Sequence, residues 1–558
     1  MAMWDTLGTV RDLGRLQEIA AVLVRYGFGD LVRRIGLADV LERAGRLLHI
    51  RTDPEQLHLS SAERVRLALE ALGPSFIKLG QVLATRVDLF PPEWIAEFSR
   101  LQSHVPAQDW AEVEGPLAAA LGVPVLQAFA DVQTVPMAAG SLAQAHRAWL
   151  HDGTAVVLKL RRAGIAEVVE ADLRLLARLA DIVDARMPDL ARFHLPEVVA
   201  QFATSLRREL DFVAECRNAE RIAANFAGNA RLHIPRVYWE WTRPSVAVQE
   251  FIDGIPASDM QALAGAGLDL HVLAAEGAGI VLKMVLEDGL FHADPHQGNL
   301  FFLRDGRIGL IDFGMVGRLS EQRRGEVALL LHGLARQRPA QVSDVLLDWA
   351  GGVEVDEAAL MQEIAVMVDT YRGIPLKDLR VGSMLGDITG LLRQYGLTLP
   401  PDLALMIKTF LTLEGVGRQL DPGFDMAAVA TPYLERAIGR RYRPRALWRR
   451  GREHADSWLD LATSLPREAR QILQATRRGR LQLRIETRAM DRFGEQVQRA
   501  ANRLVVGVIT AALVVGSSIV MHSVGSNSRW LLALGVAGFI GAALCGVWIV
   551  LSIWRSSR

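Results

Sequence analysis

Two kinds of apolar patterning divide the chain. From residue 504 onward apolar positions run almost unbroken: Leu504 to Met521 is 18 apolar or small residues, and Trp530 to Trp554 is a second run of 25. A polar break from His522 to Arg529 separates them. A hydrocarbon core of roughly 30 Å takes about 20 helical residues, so residues 504–554 predict two transmembrane helices forming a hairpin. Trp530, Trp548 and Trp554 sit near both ends of the second run, where interfacial aromatics belong. Small residues spaced by four (Gly538, Ala542 and Gly546; Ala512 and Gly516) would let the two helices approach closely.

Upstream the apolar runs are short and punctuated. Thr154 to Leu160 and Val246 to Ile252 read as strands. Asn299 to Leu303 and Arg307 to Ile311 are apolar runs flanking Asp305-Gly306, a strong hairpin signal. Pro196 to Phe226 reads as one helix, and Leu31 to Ile50 as an amphipathic stretch that would touch a membrane or pack on the body. After Gly314 the chain passes directly into a polar helical pattern.

Charge sharpens this division. The 63 basic and 63 acidic residues cancel, but unevenly. Residues 436–503 hold 18 Arg, no Lys and 7 acidic residues, a local +11, whereas the first 435 residues sum to −14. The Arg cluster at 436–452, interleaved with Tyr442, Leu447 and Trp448, precedes the apolar pair and fits the anionic inner leaflet. A solvated basic face is the alternative, and nucleic acid is not an expected partner. Arg on both flanks and a single Arg529 in the turn place both termini in the cytoplasm by the positive-inside rule. Arg11, Asp12 and Arg15 break the first apolar stretch, so no signal peptide is read. The two cysteines, Cys216 and Cys545, exclude a disulfide scaffold. Only five of the basic residues are Lys, which makes each Lys position informative.

The chemistry lies between. His292-Ala-Asp294-Pro-His-Gln297-Gly-Asn299, then the hairpin, then Asp312-Phe-Gly314, has the layout of a kinase catalytic and metal site. Phosphoryl transfer needs hard oxygen ligands for Mg2+ and a carboxylate near the acceptor, on adjacent rigid loops. Lys159 stands in a β-branched strand, where an edge lysine would be the ordinary reading; its place before a helix selects it instead as the phosphate-contacting lysine. Glu215 is the candidate partner. Asp211 and Glu215 share a helix face by their spacing of four, and Glu209 lies about 160° from Asp211. Glu250 ends the strand where a nucleotide hinge would sit. No glycine-rich loop precedes Lys159; Ala138-Ala139-Gly140-Ser141 occupies that place. Farther upstream, Lys78-Leu-Gly80-Gln81 uses another rare Lys beside a Gly.

These motifs resemble the UbiB/ADCK atypical kinase-like family of ubiquinone biosynthesis. The resemblance implies an α+β, two-lobed protein-kinase-like fold with a helical N-terminal extension (1–115), an N-lobe (116–255) and a C-lobe (256–435). An Arg-rich juxtamembrane segment (436–503) and the membrane pair (504–554) would follow. It implies ATP held at Ala138 to Ser141, Lys159 and Glu250, Mg2+ at Asn299 and Asp312, and Asp294 at the catalytic-loop position. Lys78, Gly80 and Gln81 would pack with Glu209 and Asp211 over the site, blocking a protein substrate and favouring a small or lipid one. Two positions depart from the family pattern. Gly140 stands where the family has Ala, removing a Cβ and permitting positive φ. Gln297 replaces a usual Pro.

The leading function is a membrane-anchored, Mg-dependent atypical kinase or ATPase of the bacterial inner membrane. Its partners would be inner-leaflet lipids and a quinone-precursor lipid or quinone-biosynthesis proteins, with a homodimer also compatible. A pseudokinase scaffold or lipid chaperone is the non-enzymatic alternative. A protein kinase is disfavoured by the missing activation segment, and a hydroxylase by the lack of a flavin fingerprint.

Overall fold

The computed structural model describes residues 10–35, 58–101, 106–187, 195–350, 356–371, 381–397, 399–441 and a few positions between 511 and 541. The chain divides into two compact units, 1–448 and 449–558, and the first holds the sheets and helices that position the site. The expected hairpin at 504–554 and most of the Arg-rich segment lie outside the described residues. Among the described residues, no helix is long and apolar enough to cross a membrane.

The N-terminal part is helical: α1 (Val10–Arg25), α2 (Gly29–Arg34), α3 (Ser61–Leu72), α4 (Pro74–Leu83), α5 (Pro92–Ser99), α6 (Trp110–Leu121) and α7 (Val125–Ala128). Helix α3 starts on a capping box, with Ser60 accepting from the Glu63 amide and Glu63 accepting from Ser60 N. An antiparallel sheet follows, ordered β1 (Asp131–Val132), β3 (Ala143–Trp149), β4 (Ala155–Arg161), β6 (Val246–Glu250), with β2 (Ala138–Ala139) pairing β3. Alternate residues of β4 (Val156, Leu158, Leu160) face a core shared with α6 and α7. Lys159 must therefore face the other way, toward the cleft. Its strand is internal, paired with Ala145 on one side and Ala247 on the other, so Lys159 is not an edge residue.

Between β4 and β6 come α8 (Ile165–Arg186), α9 (Leu195–Glu209) and α10 (Phe212–Asn225), then β5 (Leu232–His233). The single helix expected over 196–226 is two. Asp211 caps α10, its carboxylate accepting from Val213 N at 3.0 Å, and the chain turns there. Helices α1, α3, α4, α8 and α9 share one core, including Leu16, Phe76, Val169 and Phe202, so the N-terminal extension is packed into the body.

The remainder builds on α11 (Met260–Gly265) and α12 (Leu270–Lys283), which continues as a π-helical turn over Met284–Asp288. Gly289 then adopts φ +70°, and a Cβ there would lie 2.6 Å from Leu319 O. Only glycine fits this reversal, which feeds β8 (Leu290–His292) into the loop over residues 293–299. Strand β9 (Leu300–Leu303) and β10 (Ile308–Leu310) form the expected hairpin, inside a sheet ordered β5, β10, β9, β7 (Gly254–Pro256). Strand β11 (Val316–Arg318) pairs with β8, and α13 (Glu321–Ala335) begins at once on a Ser320 cap. Five helices complete the lower half: α14 (Pro339–Ala350), α15 (Glu357–Thr370), α16 (Val381–Gln394), α17 (Pro401–Leu420) and α18 (Met426–Arg441).

Arg436, read from sequence as the first residue of the basic cluster, is used inside this unit. It pairs with Glu287 at 2.8 Å and lies 4.5 Å over the Tyr433 ring.

Candidate functional site

Three elements converge on Lys159. From β4 its Nζ donates to both Glu215 oxygens on α10, at 2.8 and 2.9 Å, and to Asp312 Oδ1 at 3.2 Å. The Phe212 ring lies 5.4 Å below the ammonium. Burial opposes the charge on Lys159, yet the carboxylates of Asp312 and Glu215 outweigh it and raise its pKa. The two carboxylates differ. The Lys159 ammonium holds Asp312 well below the usual carboxylate range, while burial pushes Glu215 up to about 7 against the pull of the same ammonium. Asp312 keeps a half-exposed side chain, 47%, and φ of +60°, directly after β10. Helix α10 also holds the following residues: Asn218 Nδ2 donates to Phe313 O at 3.3 Å. Sequence reading missed Asn218, whose helix position carries no motif.

A second pair stands near the first. Lys78 on α4 meets Glu209, the last residue of α9, at 2.7 Å, with side-chain exposures of 24% and 11%. Burial works against the Lys78 charge, but Glu209 and then Asp312 overcome it, with Lys159 opposing. Lys78 thus lies within the field of the Lys159 cluster. Glu209 is the carboxylate directed to Lys78, while Asp211 serves as the α10 cap. Gly80 is explained by packing. A Cβ there would run into Leu101 Cδ1 and lie 2.9 Å from Leu69 Cδ1. Gln81 Nε2 donates to Leu101 O at 3.1 Å, fastening the same contact.

The catalytic loop is held by its own side chains. His292 is fully buried, accepts from Asp294 N at its Nδ1 (3.2 Å) and donates from Nε2 to Ile311 O (3.1 Å). That pattern is the neutral ring, and burial lowers its pKa accordingly. Asn299 Nδ2 donates to Asp294 O at 3.2 Å, which turns its amide oxygen the other way. Asp294 Oδ1 accepts from Lys408 Nζ at 3.0 Å, an ammonium on α17 some 114 residues downstream. Burial pushes Asp294 up, but Lys408 and His296 prevail and hold it below its ordinary value. Lys408 was missed from sequence, although the scarcity of lysine pointed to it: Lys78, Lys159 and Lys408 are three of five. Gln297, the departure from Pro, bonds to Gln419 on the same helix.

The loop expected over the phosphates is the β2–β3 turn. Gly140 N donates to Ala143 O at 2.8 Å, Gly140 O accepts from Arg162 Nε at 2.9 Å, and Ser141 is buried. The positive φ that Gly140 permits is not used, and a Cβ there would meet Ala143 O at 3.5 Å, an ordinary contact. Glu250 ends β6 away from the lysines, its carboxylate bonded to His233 Nε2 and to Arg236 N, each at 3.1 Å.

The donors suit Mg2+. Among the described residues, no cluster of three or more His, Cys, Asp or Glu is arranged to hold a metal. A hard cation here would take the Asn299 amide oxygen and the half-open Asp312 carboxylate, with the rest of its shell from nucleotide oxygens and water. Such an ion would neutralise charge on a transferring phosphate.

Comparison with known proteins defines the class first. Residues 100–346 match the ABC1 atypical kinase-like domain, 364–425 the UbiB helical domain, and 488–555 the ABC1/UbiB kinase-like C-terminal domain. The fold is thus kinase-like and α+β. Over 555 residues the chain is 34% identical to a probable protein kinase UbiB of Marinobacter nauticus, covering 96% of this chain and 99% of that one. A Cellvibrio japonicus protein of the same description is 33% identical over 555 residues, 98% and 99% of the two chains. One from Azotobacter vinelandii is 36% identical over 441 residues, 78% and 82%. The chain belongs to the UbiB family.

Proposed function

We propose that the protein is a membrane-anchored, Mg-dependent atypical kinase or ATPase that supports ubiquinone biosynthesis, acting on a small-molecule or lipid substrate. The observation that carries this reading is two neighbouring sets of ion pairs: Lys159 with Glu215 and Asp312, and Lys78 with Glu209 inside the same electrostatic field. We read the first set as the phosphate and metal site and the second as its cover. In this reading Lys159 holds the nucleotide phosphates while Glu215 fixes it, and Asn299 and Asp312 hold Mg2+. Asp294 faces the acceptor hydroxyl, or the water that takes its place. The rigid donors are in place before substrate arrives, so little reorganisation accompanies the reaction.

The covering α4 motif, fastened at Gly80 and Gln81, supports a slim acceptor over a folded protein. The short path from Gly314 to α13 supports it too, since it leaves no long segment on which a peptide could dock. Membrane anchoring draws its support from the two apolar runs of the sequence and the match of 488–555 to the family's C-terminal domain. A second reading, a nucleotide-gated scaffold or lipid chaperone, is favoured by the same cover, which could retain nucleotide without transfer.

The test is phosphate release from Mg-ATP by the full chain, with and without anionic liposomes and a quinone-precursor mimic. We expect turnover that rises with both additions. A folded, nucleotide-binding chain whose release never exceeds that of Asp312→Asn would favour the scaffold.

A further inference from the structure

Helix α17 lies outside the segment matched as kinase-like and inside the helical domain. Nevertheless it holds the catalytic loop at consecutive points. Lys408 Nζ is 3.0 Å from Asp294 Oδ1, Thr409 Oγ1 lies 3.2 Å from Ala293 O with its one proton shared with Leu405 O at 2.9 Å, and Gln419 bonds to Gln297. Thr409 is fully buried, and the Lys408 and Asp294 side chains are 20% and 31% exposed. The helical domain is itself tied to the N-terminal extension. Arg393 on α16 donates to Val87 O at 2.9 Å and Phe90 O at 3.0 Å, and Leu399 N donates to Asp88 Oδ2 at 3.0 Å.

The loop's own nearest basic group is a poor substitute. His296 Nε2 stands 3.9 Å from Asp294 Oδ2, beyond hydrogen-bond reach, and its ring is half-exposed. Its Nδ1 already accepts from Gly298 N at 3.0 Å. A lysine offers a compact charge fixed at neutral pH, in a chain that otherwise uses arginine almost throughout.

We propose that Lys408 is a positioning residue of the phosphoryl-transfer site, contributed by the helical domain, which holds Asp294 by one oxygen and leaves the other for the acceptor. This rests on the phosphoryl-transfer function proposed for the cleft. The kinase-like segment alone is then an incomplete site, because the ammonium that orients its catalytic-loop carboxylate comes from beyond residue 346. Without Lys408 the Asp294 carboxylate loses its anchor, and a misplacement on the order of 1 Å in such a group slows reaction about 100-fold.

The experiment measures kcat and KM for Mg-ATP in the full chain for wild type, Lys408→Met, Lys408→Arg, Asp294→Asn, the Asp294→Asn/Lys408→Met double variant and Asp312→Asn. Lys408→Met should lower kcat about 10- to 100-fold with KM changed less than about threefold, and Lys408→Arg should recover most of the loss. Because Lys408 acts through Asp294, the double variant should be no slower than Asp294→Asn alone. Should Lys408→Met fail to fold, the last comparison decides, since the double variant leaves neither partner as an unpaired charge. An unchanged kcat in Lys408→Met, a loss confined to KM, or a double variant slower than Asp294→Asn alone would each overturn the proposal. Wild type no faster than Asp312→Asn would instead overturn the phosphoryl-transfer function, and this inference with it.

Discussion

Lys78 and Lys159 show how few groups decide the chemistry here. Each ammonium meets a largely buried carboxylate, and each carboxylate comes from a helix end near the Leu210–Asp211 break. Removing one partner of such a pair leaves a charge without compensation, which is why single changes at these positions should be costly. Lys78→Glu and Glu209→Lys should each lower the thermal unfolding midpoint and turnover. The charge-swapped double variant should recover part of both, with a coupling of about 1–3 kcal/mol in a double-mutant cycle. Additive losses would show that the two residues act separately. The two motif glycines should behave differently from one another. Gly80→Ala drives a methyl into Leu101 and Leu69 and should destabilise the apo protein by about 1–3 kcal/mol. Gly140→Ala meets only an ordinary contact at 3.5 Å. It should leave apo stability nearly unchanged and alter only nucleotide affinity or ATP/ADP preference. Matching unfolding and binding curves for Gly140→Ala and wild type would leave that glycine without a role.

At the level of elements, the sequence was informative wherever an alternating or turn-bounded pattern stood alone. The β9–β10 hairpin follows from two apolar runs around Asp305-Gly306, and Lys159 was picked out by its strand's place before a helix in a chain poor in lysine. The break between α9 and α10 was not legible, because no Gly or Pro marks it. Leu210 and Asp211 follow a run of helix formers, and the break rests on a local bond from Val213 N to the Asp211 carboxylate, a capping role that an Asp permits without requiring. The α17 contribution was hidden for another reason: 114 residues separate Lys408 from Asp294, and no local pattern encodes a contact at that distance. Two buried histidines make element stability depend on pH. His146 on β3 donates from Nδ1 to Gln133 O and accepts at Nε2 from Gln144 Nε2, and burial lowers its pKa as it does that of His292 on β8. Folded pKa values below the ordinary 6.5 mean that the unfolded chain binds more protons. Their stabilising contribution is therefore present above about pH 6.5 and declines as pH falls below it. Because Glu215, pushed up to about 7, works in the opposite direction over the same range, the decline should be read between pH 7.5 and 5 as the difference in unfolding free energy between wild type and His146→Gln. A difference that does not change with pH would mean that the His146 ring protonates without cost in the fold.

Across the whole molecule, the neutral total charge conceals a division of labour. Arginine supplies nearly all the positive charge, much of it from residue 436 onward, while three of the five lysines pair with carboxylates of the candidate site. They arrive from the N-terminal extension, the β-sheet and the helical domain, so the site is assembled from segments more than 300 residues apart. The helical domain touches both the catalytic loop and the chain following α4, through Lys408 and through Arg393 and Leu399. Motif reading found the first two lysines because their neighbours carry signatures, and passed over the third because its neighbours are ordinary helix.

The central claim is that this cleft turns over ATP with a divalent metal held at Asn299 and Asp312. The most direct measurement is the rate of phosphate release from ATP by the purified full chain, wild type against Asp312→Asn, in Mg2+ and after removal of Mg2+ by chelation. Chelation and the substitution should each reduce the rate by about 100-fold or more, and chelation should add little to Asp312→Asn. Equal rates for the two proteins in Mg2+, or wild-type turnover that survives chelation, would contradict the claim.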